Sequence, residues 1–298
     1  MKILAIGDFH GKFPQKLKKQ IEKEGFDVIL SPGDYCGNEK LAELFFKYAY
    51  GKKDSEVPEK IQKEMEKLDK ISLRDGINLI KELKKIKKPI YGIRGNWDPT
   101  PWERDIGLPK SDSKEKKQAK KLIDLESKNF KFIDFKSKNF NNFVVIASTS
   151  STCPGKLGSS RHRKRIQDLS GKEEKKYIGL IKKQYKKRKE KLETLFKKAK
   201  KQGKEIVFLT HNSPYRTKLD KIKKGPQKGK HYGNFLEKEL IKRYKPRLVV
   251  CGHIHEGFCK QQIGRTLVVN SGAAYEGRAA IIDYNKNQGK VEKVKFLK

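Results

Sequence analysis

Cysteine is scarce in this chain: its 298 residues include four, Cys36, Cys153, Cys251 and Cys259. None forms a C-x-x-C pair, and the spacings are too wide for a zinc ribbon or a small disulfide scaffold, so the thiols are expected to be reduced and structural. Cys251 follows the apolar Leu248-Val249-Val250, which points to buried packing. Long apolar runs are lacking as well. No stretch of 18 or more apolar residues occurs, which excludes an ordinary transmembrane helix, and no membrane partner is expected. Met1 leads directly into the strand-like Lys2-Ile3-Leu4-Ala5-Ile6, without the basic start, apolar stretch and cleavage site of a signal peptide; the expectation is a soluble, cytoplasmic protein. Internal repeats and long Pro/Gly/Ser linkers are missing too, so residues 1–298 are read as one elaborated domain. Acidic residues are outnumbered, 36 Asp and Glu facing 72 Lys and Arg for a formal charge of +36. Such a charge attracts polyanions non-specifically, making nucleotides or nucleic acid natural partners. Lysine that merely solvates a surface gives the same composition.

What the chain does have is a series of short apolar, β-prone runs, at 3–6, 28–30, 89–93, 143–147, 206–209, 248–250, 266–269 and 279–283. Most are unbroken rather than alternating, as befits strands covered on both faces. Helical patterns sit between many of them, including 12–24 and 234–244, the latter closed by Pro246. The plan is therefore α/β, in layers. Two segments look like helical insertions, about 38–87 and 160–202. The stretch 161–201 carries 18 Lys and Arg against 5 Asp and Glu, with Tyr177, Leu180, Ile181, Gln184, Leu192, Leu195, Phe196 and Ala199 near one stripe of a long helix.

In α/β sheets ligands bind outside the carboxyl ends of the strands, so the polar residues that follow the apolar runs carry the functional reading. Asp8 and His10 follow the first run in Gly7-Asp8-Phe9-His10-Gly11, Asp34 follows the second in Gly33-Asp34, and Asn96 follows the third in Gly95-Asn96-Trp97-Asp98. His211 follows the run at 206–209, and His253 and His255 follow the run at 248–250 in Gly252-His253-Ile254-His255. Five loops thus offer carboxylate, imidazole or amide at one sheet edge. Four of only six histidines occupy these positions. Gly7, Gly33, Gly95 and Gly252 fit sharp turns that bring such residues close.

These motifs, in this order, resemble those of the calcineurin-like metallophosphoesterases, D-x-H, G-D, G-N-H-D, H and G-H-x-H. Residues 210–220, 252–256 and 263–272 look like the archaeal branch called Icc-related phosphoesterases. The resemblance implies a four-layer α/β/β/α sandwich. It also implies two divalent metal ions, one held by Asp8, His10, Asp34 and His255, the other by Asp34, Asn96, His211 and His253, with Asp34 bridging. Such a mixed donor set suits Mn, Fe, Zn, Co or Ni better than Ca. The implied activity is hydrolysis of phosphodiesters, and of monoesters too, in nucleotides or nucleic acid, by a metal-activated water.

One departure stands out. Trp97 occupies the place where many relatives have a histidine that helps protonate the leaving group, and indole cannot act as that acid. Leaving groups that need little protonation, aryl or nucleotide esters, are therefore expected to be favoured over alkyl phosphates. Asp98, which normally supports the missing histidine, is a candidate catalytic residue orienting water or Arg94, or else a helix N-cap before Pro99. His231, after the lysine-rich loop 218–230, is a candidate phosphate contact or substitute proton donor, or a satisfied surface histidine. Arg161, His162, Arg163, Lys164 and Arg165 form a basic cluster able to track a nucleic-acid backbone, although nearby aromatics for base stacking are sparse. A second functional reading follows from Trp97 and the basic helices: a catalytically weakened scaffold or nucleic-acid-binding protein on the same fold.

Overall fold

The computed structural model describes residues 1–49, 56–101, 113–149, 169–225 and 227–298. The elements in chain order are β1 (Lys2–Ala5), α1 (Gln15–Glu24), β2 (Val28–Ser31), α2 (Glu39–Leu44), α3 (Glu59–Lys84) and β3 (Ile90–Gly92). There follow α4 (Ser113–Ile123), β4 (Phe130–Phe132), β5 (Ser137–Asn139), β6 (Phe143–Ala147), α5 (Gly171–Lys201) and β7 (Glu205–Asn212). The chain closes with α6 (Phe235–Tyr244), β8 (Leu248–Gly252), β9 (Cys259–Ile263), β10 (Thr266–Asn270), β11 (Ala279–Asn285) and β12 (Lys290–Leu297).

Two six-stranded sheets form, in the orders β12-β11-β1-β2-β3-β4 and β5-β6-β7-β8-β10-β9. In each, four neighbouring strands run parallel and antiparallel strands flank them: β1 to β4 beside β11 and β12, and β6, β7, β8 and β10 between β5 and β9. Side chains alternate across a strand, and the unbroken runs thereby supply two cores each. Ile3, Ala5, Leu30, Val145, Val207, Leu209, Val250 and Ile282 pack between the sheets. Leu4, Ile6, Ile29 and Ile281 face outward against α1, α3 and α4 through Leu17, Ile21, Leu79, Ile80, Leu83 and Leu122. On the opposite side Val144, Ile146, Phe208, Val249 and Val268 pack against Leu192, Phe196 and Ala199 of α5 and Leu236, Leu240 and Ile241 of α6. The result is the α/β/β/α sandwich expected from the sequence.

Several local signals act as read. Asn234 caps α6, its side chain accepting from the N–H groups of Leu236 and Glu237, and Lys245, left-handed at φ 48°, ends the helix just before Pro246. The stripe on α5 buries Tyr177, Ile181, Leu192, Phe196 and Ala199. The segment 38–87 contains α3, which connects the parallel neighbours β2 and β3, so α3 does the work of a crossover helix of the sandwich. The basic cluster 161–165 and Cys153 lie outside the described residues.

Candidate metal centre

The C-terminal end of β7 and the loops leaving those of β1, β2, β3 and β8 bring their polar residues to one place. Asp34 lies at the middle: its Oδ2 is 3.9 Å from His10 Nε2 and 3.5 Å from His211 Nε2. On one side His10 Nε2 is 3.4 Å from His255 Nε2, which is 3.7 Å from Asp8 Oδ1. On the other, Asn96 Oδ1 is 2.8 Å from both His211 Nε2 and His253 Nδ1, and those nitrogens are 3.2 Å apart. Asp8, His10 and His255, and likewise Asp8, Asp34 and His211, each place donor atoms within 4.8 Å of one another. All seven residues singled out from the sequence thus meet.

The backbone is bent hard to achieve this. Asp8 (φ 51°), His10 (φ 46°), Asp34 (φ 56°) and His253 (φ 68°) all sit in the left-handed region, at a cost of about 1 kcal/mol each. Neighbouring loops hold them there: the N–H of Asp8 donates to Gly33 O at 2.8 Å, and those of Phe9 and His10 donate to Asp34 O at 2.8 and 3.0 Å. Two glycines are required by close approach. A Cβ on Gly95 would lie 2.0 Å from Asp34 Oδ1, and one on Gly252 would lie 2.2 Å from Asp8 Oδ2.

A further layer of residues orients the donors. His211 Nδ1 donates to Pro32 O at 2.7 Å, which in the neutral ring leaves Nε2 as a lone pair aimed at the cluster. His253 N–H donates to the Asp8 carboxylate at 3.0 Å, and Tyr275 Oη lies 3.3 Å from His255 Nδ1. Asn270 Nδ2 braces the last loop by donating to Ile254 O at 3.0 Å. Tyr275 and Asn270 were not singled out from the sequence; their one signal is position, at and just after the end of an apolar run.

Electrostatics explain what the cluster is ready to bind. Burial, followed by the charge of His255, holds His10 at about 3, and burial with His211 beside it holds His253 at about 3. Burial lowers His211 as well. These rings are therefore neutral, with lone pairs to offer. Burial raises Asp34, and the nearby Asp98 and Asp8 add to the effect. Burial opposes ionisation of Asp8 too, but the bond and charge of His255, itself raised against its burial by Asp8, prevail and take it to about 2. Buried carboxylates facing neutral imidazole lone pairs are costly without a compensating cation. Donor separations near 3 Å also match the edge between two ligands bonded at about 2.1 Å to one ion. The donor set fits divalent metal.

The remaining candidates fall differently. Asp98 is fully buried and faces backbone: Oδ2 accepts the N–H groups of Asp34 and Gly95, and Oδ1 that of Cys36, each at 2.8 Å. It caps no helix at Pro99, and Arg94 pairs with Asp134 at 2.5 Å rather than with Asp98. Its carboxylate is committed to tying the β2 and β3 loops together. His231 contacts Asp220, Nδ1 to Oδ1 at 2.8 Å, and Asp220 is a buried clamp that also accepts from the N–H groups of Arg216, Thr217 and Gly233. Trp97 donates its backbone N–H to Asp34 Oδ1 at 2.8 Å, leaving Asp34 Oδ2 toward the histidines.

A two-sheet α/β/β/α sandwich with carboxylate and imidazole donors gathered at its strand ends defines a metallophosphoesterase. The family model of the calcineurin-like phosphoesterases matches residues 1–257, and the chain belongs to that family. Membership of that family, together with the donor cluster, supports a metal-dependent hydrolase acting on phosphoesters. An uncharacterized Methanocaldococcus jannaschii protein, MJ1162, is 36% identical over 69 residues, 22% of this chain and 31% of the relative, so the match spans about a third of that protein's length. Among solved structures, one crystal structure aligns over 100% of this chain and 99% of its own at a TM-score of 0.60 and 18% identity. The Thermus thermophilus protein TT1561 aligns over 99% of this chain and 97% of its own at a TM-score of 0.52 and 15% identity. A candidate 5′-nucleotidase from Staphylococcus aureus, in complex with α-ketoglutarate, aligns over 99% of this chain and 53% of its own, with a TM-score of 0.52 and 12% identity. At these identities the likeness concerns the fold. Among the described residues, no helix is long and apolar enough to cross a membrane.

Proposed function

We propose that the chain acts in the cytoplasm, as a single domain over residues 1–298, hydrolysing phosphodiester and phosphomonoester bonds of nucleotides or nucleic acid. Asp8, His10, Asp34 and His255 would hold one divalent ion, and Asp34, Asn96, His211 and His253 the other, drawn from Mn, Fe, Zn, Co or Ni. The observation that carries this reading is the position of Asp34 Oδ2 between His10 Nε2 and His211 Nε2, at 3.9 and 3.5 Å. Divalent ions bound there supply Lewis acidity, activation of a water nucleophile and charge neutralisation for the transferring phosphoryl group. The chain's own residues set the geometry. Pro32 O fixes the tautomer of His211, Asp98 locks the loops that present Asp34 and Asn96, and Tyr275 orients His255.

His231, held through Nδ1 by the buried Asp220, is our candidate for delivering a proton to the leaving group in place of the histidine that Trp97 replaces. Asp98 serves as a positioning residue. The nucleotide preference is supported by the large excess of basic residues and by the fold shared with the candidate 5′-nucleotidase. The exposed lysines of α5 support non-specific binding of nucleic acid as an accompanying property.

Hydrolysis of p-nitrophenyl phosphate and bis(p-nitrophenyl) phosphate by Mn²⁺-loaded protein tests this reading. Activity that is abolished by EDTA and restored by Mn²⁺ is expected. Absence of metal-dependent turnover on every ester tried, with the metal bound, would instead favour the scaffold reading.

A further inference from the structure

Next to the donor cluster lies a cavity of about 270 Å³ that contributes nothing to the metal centre. Its walls include Asp69 and Ser72 of α3, Lys114, Glu115 and Gln118 of α4 and Trp97 in the loop after β3. Trp97 belongs to both places. Its backbone is bonded to Asp34, its indole stands edge-on to His10 with ring centroids 6.3 Å apart, and it also lines the cavity. The cavity is therefore one aromatic side chain away from the residues that would hold a phosphoryl group.

The lining is selective in its chemistry. Gln118 Nε2 donates to Asp69 Oδ2 at 3.0 Å, an arrangement that leaves the amide oxygen of Gln118 and the second carboxylate oxygen of Asp69 as acceptors. Acceptors beside an indole suit a flat heterocycle that stacks on the ring and offers N–H donors from its edge. A simple alkyl leaving group uses neither feature. The volume is just below the usual range of about 300–1,000 Å³ for a whole drug-sized ligand, which is room for a base rather than for an entire nucleotide.

We infer that this cavity is a nucleobase subsite: it receives the amino-bearing base of a nucleotide ester, stacked against Trp97, while the phosphoryl group lies at the donor cluster. The placement of the phosphate rests on the proposed function, whereas base binding does not. Tryptophan at position 97 would then exchange a proton donor for a stacking surface.

The test uses the full chain treated with EDTA and titrated with adenosine, which has no phosphate for the cluster to hold. Tryptophan fluorescence and calorimetry report the binding. Saturable binding is expected, weakened about tenfold or more in Trp97→Ala. Because that change also touches the loop beside Asp34, Asp69→Ala on α3 serves as a second variant. It should leave the fluorescence response in place while shrinking the preference for adenosine over uridine, which lacks the exocyclic amine. No binding of adenosine, or equal affinity in wild type and both variants, overturns the subsite. Adenosine binding without phosphoester turnover by the Mn²⁺-loaded protein keeps the subsite and removes the phosphoesterase reading; turnover without adenosine binding does the reverse.

Discussion

The carboxylate of Asp98 accepts the backbone N–H of Asp34 at 2.8 Å, so a side chain from the loop after β3 fixes the conformation of the loop after β2. The same carboxylate takes the N–H groups of Gly95 and Cys36, and three buried donors depend on it. Asp98→Ala would leave all three unsatisfied, each costing about 1–3 kcal/mol, for an expected loss near 3–5 kcal/mol. Urea denaturation of the EDTA-treated protein measures it, with Asp98→Asn falling between the two. A loss under about 1 kcal/mol would show that other groups hold these loops.

At position 97 the expectation concerns leaving groups. With indole at position 97 and protonation left to His231, which is not on the loop of Trp97, wild type should prefer p-nitrophenyl esters to alkyl phosphates. Trp97→His should narrow that ratio of kcat/KM by roughly tenfold or more, since a placed general acid contributes about 10²–10⁴. An unchanged ratio would mean that position 97 does not govern protonation.

His253 links the site to pH. Burial holds its imidazole at about 3, against the usual value near 6.5, so the folded chain binds fewer protons here than the unfolded chain. Its contribution to stability is fully present above about pH 6.5 and is lost as pH falls through the folded value. In EDTA-treated protein the stability of wild type relative to His253→Gln should therefore decline between pH 6.5 and about 3, by at most about 1.4 kcal/mol per pH unit. A pH-independent difference in denaturation midpoints would contradict this.

The exposed lysines of α5 carry an expectation of their own. Lys182→Glu with Lys186→Glu, both on the solvent side of the helix, should weaken binding to unrelated duplex DNA sequences about uniformly. It should also reduce the salt slope by roughly one per phosphate contact removed. Unchanged DNA affinity in a gel-shift salt series would assign the lysines to solvation alone.

The donor cluster was legible because each member follows an unbroken apolar run, and a run covered on both faces is a strong signal. The left-handed backbone of Asp8, His10, Asp34 and His253 was not, since Asp and His, although enriched at positive φ, adopt it too rarely for the residue type alone to announce it. Edge strands were missed for a related reason. β4 and β5 are three residues long, and β12 mixes lysines with apolar residues opposite the register shift at Asp283 and Tyr284 of β11. The role of Asp98 was hidden because its partners are backbone N–H groups, which no sequence pattern displays.

The shared carboxylate of Asp34 is the point on which the metal centre turns, and elemental analysis of Mn²⁺-reconstituted protein reaches it directly. Two ions per chain are expected in wild type, one in Asn96→Ala and none in Asp34→Ala, with circular dichroism confirming that each variant is folded. A folded Asp34→Ala protein that retained both ions would contradict the bridging role.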